Sequence, residues 1–446
     1  MGFINELFTS IEGQLLNKID STFDGAGKKP SNDIHPGDIH IESIILLSED
    51  QQRKYDLTAQ CKAINIYESI MSPCIFAELS MQDSIGLYQN FPIIGEEYVS
   101  ISFKTPGSDK SAKYLFRTNQ ISDKVVAQNN KFVTYTIQLV SAELIRNSVR
   151  YITKGYKQNI HDLVKDIMDD GIATQKQVRI SKTSGIEEGV ITRLRPFEAI
   201  DFLRRRAVSP EYQSSAFVFY ETRDGYHFVT IEELIKTGMS TVDRSDKQFF
   251  FDTNNNMNLK DVTIRNIIAY NQVSFADTIS KAQEGGINNE VNTFDLVTGN
   301  VKNIKYKDDG TSANFNNLDK NGTQTNTTGF IKKHGVTSAE RKFVPISSDL
   351  PNTKRPEKLS ISTAFAQNIT QNIIRIHIYG DSEIQVGDVI NCTLPSGIDA
   401  SNSNKVSRLE SGNYLVVKVR HMITNLDRPN HSISLELIKG NYNEVA

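Results

Sequence analysis

Thr134-Tyr135-Thr136-Ile137-Gln138-Leu139-Val140 and His431-Ser432-Ile433-Ser434-Leu435-Glu436-Leu437-Ile438 lie far apart in a 446-residue chain and carry one pattern. Apolar residues alternate with Thr, Ser, Gln or Glu, the period of two that turns one face of a β-strand to a core and the other to water. The residues before them agree. Ile94-Gly95-Glu96 precedes a strand ending at Phe103, as Val386-Gly387-Asp388 precedes one ending at Leu394. Tyr114-Leu115 opens the next strand in one copy and Tyr414-Leu415 in the other. From glycine to tyrosine the steps are 19 residues (Gly95 to Tyr114) and 27 residues (Gly387 to Tyr414). One hairpin loop absorbs that difference, because closure entropy grows slowly with loop length. The pattern predicts either a duplicated β lobe or two unrelated β domains. A duplicated lobe has a symmetry consequence: a cyclic trimer of such a chain presents six near-equivalent lobes.

Outward from these stretches, further β-branched and aromatic runs at Ile39–Leu47, Tyr55–Tyr67, Tyr98–Phe103 and Tyr114–Ser122 complete a first antiparallel barrel or sandwich. Runs at Ile264–Tyr270, Val291–Val297, Asn300–Tyr306, Ile373–Tyr379, Val389–Leu394 and Tyr414–Val419 supply a second, with Ile361–Ile369 readable as helix or strand. Between the two the period lengthens. Ile160, Leu163, Val164, Ile167 and Met168 share a helix face, and Pro196 opens a second helix carrying Phe197, Ile200, Leu203 and Ala207. Ala216–Tyr220 and Tyr226–Val229 around Asp224-Gly225 predict a hairpin. Asp308–Gly329 holds Phe315 and Leu318 as its large apolar residues, too few for a core, and predicts an exposed or disordered loop. At the front, Phe3, Ile4, Leu7, Phe8, Ile11, Leu15 and Ile19 form one amphipathic stripe ahead of a Gly-, Pro- and Lys-containing linker. That stripe covers either a partner or its own domain.

The fold class predicted is mainly β with α+β. It divides into an N-terminal amphipathic helix and linker (1–36), a first antiparallel β-barrel (37–146), an α/β domain (147–260), a second β-barrel (261–306 with 360–442) and a polar insert (307–359).

Composition narrows the chemistry. Lys and Arg number 50 against 53 Asp and Glu, a net charge of -3, so no global attraction draws the chain to nucleic acid or anionic lipid. Cys61, Cys74 and Cys392 make neither a CxxC pair nor an even disulfide framework, and burial as small apolar residues is expected. The Met-Gly-Phe-Ile-Asn-Glu start lacks the features of a signal peptide, and no apolar run approaches membrane-spanning length, so a cytoplasmic setting is expected. Neither HExxH, GxSxG, P-loop nor GxGxxG occurs, and no metal or cofactor is expected. Asp162, Asp166, Asp169 and Asp170 read as a solvated helix face rather than the paired acids of a glycosidase. Arg204-Arg205-Arg206 is either a phosphate or carboxylate contact or the outer face of its helix. No enzyme emerges, and a cell-wall hydrolase with β accessory domains is the distant alternative.

Arg195-Pro196-Phe197-Glu198-Ala199-Ile200-Asp201-Phe202-Leu203, Phe217-Val218-Phe219-Tyr220-Glu221 with Gly225-Tyr226-His227-Phe228, Val386-Gly387-Asp388, Gly412-Asn413-Tyr414-Leu415-Val416 and Val419-Arg420-His421 resemble, in this order, the central baseplate hub of contractile-tailed bacteriophages. The resemblance implies a homotrimer in which two tube-type barrels per chain form a pseudo-hexameric ring. That ring sits beneath the tail tube protein, above the central spike protein and among neighbouring baseplate proteins, in the virion's tail baseplate, assembled in the host cytoplasm. DNA would pass only transiently through its lumen. Related hubs head type VI secretion and phage-like injection particles, the nearer alternative. The tethered N-terminal helix and the polar insert depart from the family pattern. The stripe of Phe3, Ile4, Leu7, Phe8 and Ile11 is expected to dock on a neighbouring baseplate or hub-associated protein.

Overall fold

The computed structural model describes residues 35–251 and 263–443, apart from positions 51, 92, 109, 128–130, 213, 308–317, 319–321, 325–339, 347–354, 397–405, 408 and 427. The N-terminal stripe and most of the polar segment after Lys307 lie outside the described residues.

The first β lobe runs β1 (His40–Leu47), β2 (Lys54–Asp56), β3 (Cys61–Ser69), β4 (Phe76–Asp83), β5 (Tyr98–Lys104), β6 (Ala112–Val126) and β7 (Val133–Val140), in the spatial order β2-β1-β5-β6-β7-β4-β3. Every neighbouring pair is antiparallel. The alternation does what the sequence demands. In β4, Ala77, Leu79 and Met81 are buried while Phe76, Glu78, Ser80 and Gln82 turn outward. Inward residues from both ends of the strand order, Ile44 and Phe103 with Leu79 and Ile66, share one core, so the sheet curls over itself. The run expected as one strand from Tyr55 to Tyr67 is broken by a turn, in which Asp56 Oδ1 accepts from the Thr58 N–H at 2.8 Å.

The middle region contains α1 (Ala142–Val149), β8 (Ile152–Asn159), α2 (Ile160–Asp166) extended by a π-helical turn to Ile172, β9 (Gln177–Ile180), β10 (Ile186–Leu194), α3 (Pro196–Arg204), β11 (Phe217–Thr222), β12 (Gly225–Thr230) and α4 (Ile231–Met239). The helices form where the apolar spacing put them. Leu163, Val164, Ile167 and Met168 pack with Phe197, Ile200 and Leu203 and with Phe217 and Phe228 from the hairpin. Pro196 takes the first helical position of α3, and Glu198 Oε2 accepts from the Arg195 N–H at 2.9 Å. The hairpin differs from expectation by one residue: Thr222 pairs with Gly225, so Arg223-Asp224 is the loop. Gly225 is needed for another reason. At φ 142° its Hα side faces β9 so closely that a Cβ would come within 2.1 Å of the Gln177 carbonyl oxygen.

The second lobe is built from β13 (Gln248–Phe250), β14 (Ile267–Phe275), then β15 (Asn288–Asp295), β16 (Val301–Lys307), β17 (Gly322–Gln324), β18 (Glu340–Ile346), α5 (Arg355–Ile369), β19 (Asn372–Tyr379), β20 (Val389–Thr393), β21 (Gly412–Thr424), β22 (Asn430–Lys439) and β23 (Asn441–Asn443). β20-β21-β22-β19-β14 is its antiparallel sheet, with β13 added parallel to β20. The ambiguous stretch at Ile361–Ile369 is helix. α5 lies over β15 and β16, which with β18 make a separate sheet, β15 and β18 being parallel.

Candidate functional site: the joined sheet and its polar face

Five strands of each lobe repeat each other in order. β5-β6-β7-β4-β3 corresponds to β20-β21-β22-β19-β14, and irregularities recur at matching places. Thr118 pairs with Leu139 just before a bulge in β6, and Val416 pairs with Leu437 just before a bulge in β21. β3 and β14 each bulge after their first pair, between Cys61 and Ala63 and between Ile267 and Ala269. Bulges at equivalent points mark one underlying architecture, since each re-aims its strand. The register also corrects the sequence alignment of the copies. Phe116 opposes Val99 as Tyr414 opposes Ile390, so the counterpart of Tyr414 is Phe116, two residues on from Tyr114. A shift of two preserves the face, so Tyr114, Phe116 and Tyr414 are all buried.

One strand belongs to both lobes. The first half of β21 pairs with β20, while Lys418–Thr424 pairs antiparallel with Ser69–Ala63 of β3, so thirteen strands form one sheet. The seam is reinforced behind the ladder. The Ser382 N–H donates to Thr105 Oγ1 at 2.8 Å and the Thr105 N–H to Ser382 Oγ at 3.2 Å. Asn425 Nδ2 donates to the Cys61 carbonyl at 3.0 Å, and Arg428 pairs with Asp38 at 2.9 Å. His421 and His431 are buried side by side, Nδ1 to Nε2 3.0 Å, with Phe103 edge-on to both. Burial holds both imidazoles below their ordinary range, His431 down to about 3.

The middle region is tied to the seam by buried charge. Lys176 bridges Glu143, at 3.0 Å, and Glu221; Glu221 also accepts from Ser141 and from the Ile75 N–H at 2.9 Å. Burial raises the Glu221 carboxyl, whereas at Glu143 burial is outweighed by Lys176 and Arg146, which hold it low. Arg223, at the hairpin tip, donates to the Ser382 carbonyl.

The face of the joined sheet turned away from the cores is polar. It presents Arg375 and His377 from β19, Ser434 and Glu436 from β22, Lys418, Arg420 and Met422 from β21, Asn65 and Tyr67 from β3, Glu78 and Ser80 from β4, and Thr136 and Gln138 from β7. Its cations are engaged within the face. Glu436 bonds Lys418 at 2.7 Å and Arg375 at 3.1 Å. Arg420 donates to Asn65 Oδ1 at 3.1 Å and lies over the Tyr67 ring, whose hydroxyl donates to Glu78 at 2.9 Å. Burial would raise the Glu436 carboxyl, but hydrogen bonds from Lys418 and Arg375 keep it below its ordinary range. A depression of about 500 Å³ lies among Tyr67, Arg375, Lys418, Arg420 and Glu436.

The other sequence candidates are accounted for within the chain. Asp162, Asp169 and Asp170 are exposed and Asp166 is held by Lys154 and Gln158, a solvated face. Arg204 and Arg205 pair with Asp201, and Arg206 donates to the Phe202 carbonyl and covers its ring. All three cysteines are buried thiols. Phe3, Ile4, Leu7, Phe8 and Ile11 lie outside the described residues. Among the described residues no cluster of three metal-binding side chains occurs, and no helix is long and apolar enough to cross a membrane. The seam was invisible to sequence reading, because pairing across 355 residues leaves no local signal.

No protein-family model matches the chain. Over 195 residues it is 24% identical to the "probable baseplate hub protein gp334" of Vibrio phage KVP40, a match spanning 40% of this chain and 45% of that protein. In fold it resembles the tail protein from Neisseria meningitidis MC58 (TM-score 0.53, 8% identity, 89% of this chain and 96% of that one). It also resembles the 43 kDa tail protein of prophage MuSo2 from Shewanella oneidensis (TM-score 0.51, 9% identity, 89% and 98%). Sequence and fold thus agree with the motif resemblance: this chain is similar to the baseplate hub and tail proteins of bacteriophages.

Proposed function

We propose that this chain is a structural, non-catalytic hub of a contractile phage-tail baseplate, working as a homotrimer that joins a six-fold tail tube to a three-fold central spike. The observation that carries the reading is the repeat: two lobes with the same strand order and matching bulges, fused edge to edge. A three-fold assembly of such chains offers six similar lobes on one side while remaining a trimer to whatever binds the other. The polar face supports a channel role. Phosphate binding requires cations free to replace counterions, and here Lys418 and Arg375 are engaged by Glu436. A wall of this kind lets DNA pass without holding it. The domain limits read from the sequence belong to this proposal, as do assembly in the host cytoplasm and docking of the N-terminal stripe on a neighbouring baseplate protein. Negative-stain images of the purified chain test the reading: three-fold rings with six lobes and an open centre are expected, and compact particles without three-fold symmetry would overturn it.

A further inference from the structure

The seam between the lobes is a template for a joint between chains. Within one chain the outer half of β21 pairs with the edge strand β3. The repeat supplies a second set of the same parts: the counterpart of outer β21 is outer β6, and the counterpart of β3 is β14. Beyond Arg117, β6 pairs only with β7, and β14 pairs only with β19 among the described strands. Each therefore has an open edge, and both carry exposed apolar side chains: Val125 and Val126 on one, Val273 and Phe275 on the other. Open apolar edges are ordinarily blunted or covered, because they pair readily with other chains.

We infer that outer β6 of one copy pairs antiparallel with β14 of the next, repeating the seam between chains. The inference rests on the ring reading above and names the surfaces that close the ring. Mapping the template through the ladders fixes the register. Arg420 opposite Tyr67 becomes Ser122 opposite Ser274, and Met422 opposite Asn65 becomes Val125 opposite Asn271.

Relative to β21, β6 carries an extra residue between Ser122 and Val125. Relative to β3, β14 carries an extra residue between Gln272 and Ser274. In the mapped pairing the two extras fall opposite each other, Asp123-Lys124 facing Val273-Gln272. The ladder therefore runs unbroken from Ile121 opposite Phe275 to Val126 opposite Tyr270. A single extra residue on one strand alone would have thrown half the pairs onto the wrong face.

Ser122→Cys with Ser274→Cys in the full chain tests the joint. Along the sheet order β14-β19-β22-β21-β3-β4-β7-β6 the two strands are seven spacings apart, roughly 34 Å of sheet, so a disulfide within one chain is out of reach. Under mild oxidation the double variant is expected to yield covalent dimers and closed trimers on a non-reducing denaturing gel. Yield should be about tenfold above a Ser122→Cys, Asn271→Cys pair set three positions out of register, since disulfide geometry tolerates little displacement. Either single variant should give no trimer. Light scattering on the unoxidised double variant separates the outcomes. Trimers without cross-links would overturn the edge assignment and leave the ring reading standing, whereas monomers for both variant and native chain would overturn both. Because both serines sit at partly exposed edge positions, circular dichroism matching the native chain is the control for folding.

Discussion

His421 and His431 touch through their ring nitrogens at 3.0 Å inside the seam, on neighbouring strands that pair at His421–Ile433 and Ile423–His431. Two imidazoles in van der Waals enclosure with Phe103 leave no room for a counter-ion, and Arg223 adds positive potential at His421. The pair is stable only when neutral.

Stability should therefore depend on pH in a definite direction. The unfolded histidines take up protons near pH 6.5, while His431 in the fold resists until about 3 and His421 is likewise lowered. The stabilisation is complete above the unfolded value and is lost as pH falls through this window. At pH 5 a single such group accounts for about 2 kcal/mol. Thermal unfolding between pH 7.5 and 5 should show a steeper loss for the native chain than for His431→Asn.

Gly380 packs its α-carbon on the His431 ring, where a Cβ would come within 2.1 Å. Gly380→Ala should cost about 1 to 3 kcal/mol through forced repacking, seen as a lower urea midpoint with unchanged slope. An unchanged midpoint would mean the seam yields more easily than its packing suggests.

Lys176→Met removes the cation shared by Glu143 and Glu221, both almost wholly buried. A carboxylate left unpaired there should cost about 3 to 5 kcal/mol, enough to loosen the middle region from the first lobe. Hydrogen exchange at Ile75 and in β11 would report the loosening, because the Ile75 amide is bonded to Glu221 itself.

Glu436→Gln leaves Lys418 and Arg375 without their carboxylate on the polar face. Fluorescence anisotropy with a short duplex should then show weak binding that fades with salt, with a log–log slope of about -2 per chain, absent from the native protein. Equal binding by native and variant chains would count against the passive-wall reading.

Local signals in the sequence carried much of the fold. Alternation in Val99, Ile101 and Phe103, helical spacing from Ile160 to Met168, and Pro196 at a helix start each depend on neighbours within a few residues, and each is realised. What escaped had weak or distant causes. β4 alternates, but through Ala77, Met81 and Glu78 rather than β-branched residues. β18 opens Glu-Arg-Lys and contains Pro345, yet pairs parallel with β15 as a short sheet's edge. The polar face was implicit in every alternating strand, whereas its charge compensation depends on which strands become neighbours, which no local pattern states.

The dual membership of β21 has a consequence for how the chain is made. Its partner β3 is synthesised early, but the residues that cover that edge, Lys418–Thr424, emerge only near the C-terminal end of the sequence. Until then β3 is an uncovered strand edge on an otherwise formed lobe, a species prone to pair with a sister chain. Contacts of such long sequence separation also close slowly. Late docking of β21 would leave that edge uncovered until Lys418–Thr424 has been synthesised, so that a chain stopped short of Lys418 cannot bury the edge of β3.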